Sequence, residues 1–118
     1  MIDAGLEISP SRHARALDVR ARAQEAAATL MARNGVTALI TPGATGVAPR
    51  GLVTTGDAGM QAVWSLLGWP TLSLPTALLG GLPVGIQLVG LPERDEALMR
   101  VGGSLSPVVT PSPWPAAA

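Results

Sequence analysis

Residues 58 to 92 carry no charged side chain, and this stretch constrains the fold more than any other feature of the chain. A membrane-spanning helix needs about 20 consecutive apolar residues. Here Pro70, Pro75, Pro83 and the pair Gly80-Gly81 would break such a helix, and Thr71, Ser73, Thr76 and Gln87 add polarity. Two strands suit the stretch instead, "TLSLP" (71–75) and "PVGIQLVG" (83–90), joined by a turn at the glycine pair. The lack of charge predicts burial on both faces, as for central strands of a layered α/β protein. Along the second strand Val84, Ile86 and Leu88 share one side, while Gly85 and Gln87 fall on the other. Glycine inside a strand packs nothing and costs conformational entropy, so it marks a close approach by a neighbour.

Helices flank this hairpin. Ser9-Pro10 reads as an N-cap and first-turn proline, opening a helix that runs to about Asn34, with Gly35 placed to end it. Ala16, Val19, Ala23, Ala26 and Leu30 form a narrow stripe at helical spacing, expected to face inward. Arg15, Asp18, Arg22 and Glu25 are spaced for exposed ion pairs. "VTALIT" (36–41) is a short apolar run before Pro42, expected to be a buried strand. A Gly/Pro loop covers 42–56. Asp57 then caps a helix over 58–67 that closes at Gly68, with Met60, Val63, Trp64 and Leu67 on one face. Asp95 caps a last amphipathic helix to Leu105, with Leu98, Val101 and Leu105 inward and Gly102-Gly103 weakening its second half. Residues 1–105 thus read as one small domain, which the resemblance given below implies is partial, and 106–118 as a proline-rich tail, extended or disordered.

Composition excludes several functions. The 118 residues suffice for one small domain, but no Phe or Tyr is present and only Trp64, Trp69 and Trp114 supply large rings. A core built largely of alanine buries little area per ordered residue, so stability as a stand-alone domain is not expected. Net charge is zero and no basic stripe interleaves with aromatics, which argues against nucleic acid. The N-terminus "MIDAGLEISP" has no apolar core of a signal peptide, and neither a membrane partner nor a leader is expected. The absence of cysteine removes disulfides and thiolate metal sites and fits a reducing, cytoplasmic setting. His13 is the single histidine and reads as a solvated surface residue. No metal and no cofactor are expected. The chain also contains no lysine, so its Gly-rich loop cannot be a phosphate-binding loop of the Gly-Lys-Ser/Thr type.

Taken in order, "ALITPGATGVAP", "TTGDAGMQAVWSLLGWPTLSLP", "GGLPVGIQLVG" and "ERDEALMRVGGSL" resemble the C-terminal segment of the amidase signature family, whose members hydrolyse amide bonds. The resemblance covers most of residues 9–105, with Thr37 standing where the family often has Asp. It implies part of an α/β/α sandwich with a mixed sheet, in the order helix, strand, long loop, helix, two-stranded hairpin, helix. It also implies that the neighbour approaching Gly85 and Gln87 comes from an earlier part of the enzyme, outside this sequence. The family's nucleophilic serine is activated by a second serine and a lysine, on a Gly/Ser-rich loop that comes long before the hairpin. "VGGSLSP" (101–107) echoes that loop in composition but lies after the hairpin. No catalytic residue is therefore assigned here, and the chain alone is expected to be inactive. The resemblance implies that Gly56, Asp57 and Trp64 line the acyl pocket. The partner it implies is the N-terminal part of an amidase supplied by another chain, with a small amide substrate bound only in that complex. An independent binding module is the remaining alternative.

Overall fold

The computed structural model describes Gly5 and residues 7–111. Its elements are α1 (Pro10–Arg33), β1 (Ala38–Pro42), α2 (Gly59–Leu67), β2 (Thr71–Leu79), β3 (Leu82–Gly90) and α3 (Asp95–Val109). The three strands form one sheet in the order β1-β3-β2, and both pairings are antiparallel. The α/β class expected from the sequence is present; a mixture of parallel and antiparallel strands is not seen among these three.

Strand alternation sorts the core into two layers. Met31, Leu67, Trp69 and Val89 form a buried cluster beneath α1 and α2, joined by Ala27, Ala28, Leu39 and Trp64. Leu74, Leu88 and Leu98 form a second cluster beneath α3, joined by Leu72, Ile86, Val101, Leu105 and Val109. Val89 and Leu88 are adjacent in β3, so their side chains point to opposite faces and each seeds one layer. β3, in the middle of the sheet, is buried from Gln87 to Gly90, as its lack of charge predicted.

Burial on both faces does not extend to the other two strands. β1 is an edge strand and Ile40 remains 60% exposed. β2 is the opposite edge and is exposed over most of its length. It also runs four residues further than expected, past a bulge at Thr76 that sits between Pro75 and Ala77 in the register. A proline tolerates that place because an edge strand with a bulge needs no ladder donor there. The hairpin turns on Gly80 and Gly81, with φ of 59° and 80°. Two consecutive positive φ values match the twist of a tight two-residue hairpin, and glycine adopts them without strain.

The helix termini follow the sequence with three corrections. Ser9 caps α1 by accepting from the Arg12 N–H at 3.3 Å, and Gly35 follows the helix at φ 62°. The face of α1 that packs on the sheet, however, holds Gln24, Ala27, Ala28 and Met31. The expected stripe lies about a third of a turn away and is exposed, Val19 at 58% and Leu30 at 65%. Helical spacing identifies an apolar arc but not which part of it this chain covers. Asp95 is the first residue of α3 rather than its cap, and no side chain caps that end. With Glu96 it places negative charge at the helix N-terminus, where the backbone dipole favours it. The helix then continues through Pro107 to Val109, so the first residues of the expected tail are helical. Residues 112–118, with Trp114, lie outside the described residues.

Candidate functional site

The loop from residue 43 to 58 is held to the sheet at its start. The Gly43 N–H donates to the Gly85 carbonyl at 2.9 Å, and Gln61 Nε2 of α2 donates to the Gly43 carbonyl. The approach is close enough that a β-carbon on Gly43 would lie 2.9 Å from the Gly85 oxygen. On its other side, a β-carbon on Gly85 would run into the Leu74 carbonyl of β2. The neighbours that require Gly85 to be glycine therefore lie within this chain, in β2 and the loop. The expectation that they come from outside is corrected.

Gln87 is 1% exposed. Its Nε2 reaches toward Thr41 Oγ1 at 3.4 Å and the Met60 carbonyl at 3.5 Å, long contacts that tie β3 to β1 and to the start of α2. A buried amide needs such partners, because leaving it unpaired costs about 1–3 kcal/mol. Its neighbours too are supplied by the chain itself.

Residues 43–46, 73–75 and 83–86 line a groove of about 380 Å³. Thr45 and Ser73 contribute hydroxyls, and the lining contains no titratable side chain. Such a groove can seat a small group against backbone and hydroxyls, but it has nothing to take a proton from Ser73, and a serine without a base is a weak nucleophile. Neither Thr45 nor Ser73 stands out in the sequence as a site residue. The signal that could have found them is the glycine pair Gly43 and Gly85, which brings the loop against the hairpin.

The three residues expected at a pocket occupy different settings. Gly56 is exposed at φ 95°, donating to Thr54 Oγ1 at 3.1 Å. Asp57 is exposed and its Oδ1 accepts from the Gly59 N–H at 2.8 Å, an Asx turn one residue ahead of the helix; the N-cap itself is Ala58, with no side-chain cap, which corrects the capping role expected of Asp57. Trp64 is half-buried and stacks on Trp69, with ring centroids 6.1 Å apart. None of the three lines the groove at residues 43–46. His13 is exposed in the first turn of α1. Among the described residues, no three His, Cys, Asp or Glu side chains gather as metal ligands. No helix of the described residues is long and apolar enough to cross a membrane.

No family model matches the chain. Shorter matches exist to curated proteins. A glutamyl-tRNA(Gln) amidotransferase subunit of Lawsonia intracellularis is 41% identical over 51 residues, covering 43% of this chain and 10% of that protein. The same amidotransferase subunit from Desulforudis audaxviator is 45% identical over 38 residues, 32% of this chain and 8% of that protein. AmiA2 of Mycobacterium tuberculosis, an amidase by name, is 37% identical over 46 residues, 38% of this chain and 10% of that protein. Both kinds of protein are of the amidase signature family. The chain spans about a tenth of the length of these relatives.

Proposed function

We propose that these residues form the C-terminal part of an amidase-signature hydrolase fold acting on carboxamide C–N bonds, in which they supply sheet strands and pocket wall. The observation that carries this reading is the set of partial matches to an amidase and to amidotransferase subunits, each confined to about a tenth of the relative. The chain has no lysine, so the serine–serine–lysine relay of that family cannot be assembled from it. General-base catalysis typically contributes about 100- to 10,000-fold, and a groove with hydroxyls and no base forgoes it. In the assembled fold Gly56 and Asp57, exposed at the end of the loop, line the acyl pocket together with Trp64, which stacks on Trp69. A cytoplasmic setting goes with the cysteine-free composition. The test is hydrolysis of short-chain and aryl amides by the purified chain. The uncatalysed rate is expected; turnover that disappears in Ser73→Ala would overturn the reading.

A second reading is favoured by one observation: within the described sheet, both β1 and β2 are edge strands. On this reading the chain is a non-catalytic subunit that completes the sheet of a separately encoded catalytic chain. Co-expression with an amidase chain that carries the Gly/Ser-rich loop and lysine but lacks this segment should give a co-purifying, active complex. Failure of the two to co-purify would eliminate it.

A further inference from the structure

α1 and α2 leave between them an apolar groove of about 410 Å³, lined by Ala16, Val19, Ala23, Val63, Leu66 and Leu67, with Arg15 and Arg20 at its margins. Val63 and Leu66 are 45% and 61% exposed, and with Val19 they make a continuous apolar seam on the outer side of the helical layer. The charges bordering it have one sign. Among the described residues neither Arg15 nor Arg20 has an ion-pair partner, and the one pair on α1, Arg22 with Asp18 at 2.7 Å, is not part of the groove lining. Arg20 is half-buried, and its Nε is enclosed without an acceptor. Trp69, 5% exposed beneath the same layer, also holds its indole N–H without an acceptor. Both buried donors lacking acceptors among the described residues belong to this side of the sheet, and neither lies on the side of α3.

We propose that this groove is a docking seam for an amphipathic protein helix from outside these 118 residues, whose apolar face lies along Val19, Val63 and Leu66 and whose flanking carboxylates meet Arg15 and Arg20. Small residues on α1 let a further helix come close, and the cations at the groove's margins select acidic neighbours over basic ones. A membrane surface fits less well, because the seam has no aromatic side chain and its alanines would bury little area in lipid. The seam is separate from the groove at residues 43–46, and its test reads peptide binding rather than amide hydrolysis.

The test uses the full chain and two fluorescein-labelled helical peptides of about 18 residues, roughly five turns. Both carry the same leucine and alanine face; one is flanked by glutamates, the other by lysines. Fluorescence anisotropy is expected to show the glutamate peptide binding about tenfold more tightly, with the preference shrinking as salt rises. Arg15→Glu should abolish the preference, and Val19→Asp should weaken both peptides about tenfold, with unchanged circular dichroism, since both positions are exposed. Equal binding of the two peptides, no binding of either, indifference to Val19→Asp, or tighter binding to phosphatidylserine vesicles than to the glutamate peptide would each overturn the proposal.

Discussion

Two glycines show how the same atom-for-atom change can have opposite outcomes. A β-carbon at Gly85 would meet the Leu74 carbonyl and lie 3.3 Å from the Pro75 Cα, both backbone atoms of a paired strand. At Gly102 it would meet the far end of the Leu72 side chain, which can rotate away. Gly102 also sits inside α3, where alanine is favoured over glycine by about 1 kcal/mol. Gly85→Ala is therefore expected to cost about 2 kcal/mol, seen as roughly thirtyfold faster amide hydrogen exchange in β2 and β3. Gly102→Ala should change exchange little, and Gly46→Ala, with open space around it, not at all. Equal protection in Gly85→Ala and Gly46→Ala would show that the hairpin is not packed as described.

At the scale of elements, the outer edge of β1 bears the main liability. It is uncharged over "ALITP", and its own Ile40 stands exposed. A groove of about 580 Å³ between this strand and α3, lined by Val36, Ile40, Leu88, Val101 and Leu105, extends the apolar surface. Natural edge strands are commonly protected by charge, bulges or covering segments. β2 has a bulge, whereas the short β1 has only Pro42 at its end. The chain is thus expected to self-associate as its concentration rises, and Ile40→Lys to suppress this in sedimentation velocity. Identical sedimentation of the two proteins would mean that β1 is not the sticky edge.

The whole molecule is broad and thin, 53 × 41 × 18 Å, with a radius of gyration of 17.4 Å. A compact domain of this length would have about 13.5 Å. The accessible surface of 8771 Å² likewise exceeds the roughly 6,000 Å² typical of a compact 12 kDa protein. Among the described residues the buried apolar ones are Met31, Leu67, Trp69, Leu74, Leu88, Val89 and Leu98, too few to offset the ordering entropy of these elements by a wide margin. In isolation it should bind ANS and melt over a broad range, without agreement of calorimetric and van't Hoff enthalpies. A sharp two-state transition would favour an independent small domain instead.

Local chemistry was legible from the residues alone. Ser9-Pro10 and Gly35 bound α1, Gly68 ends α2, and Gly80-Gly81 turns the hairpin, because caps and positive-φ turns depend on a few adjacent residues. The absence of lysine was legible too, since a side chain absent from the sequence cannot be supplied by folding. Burial was not. Which arc of α1 meets the sheet, why β3 rather than β1 is central, and that Leu74 is what crowds Gly85 all depend on contacts between residues distant in sequence. Apolar periodicity marks a surface suited to being covered; only the packing of the other elements decides whether it is.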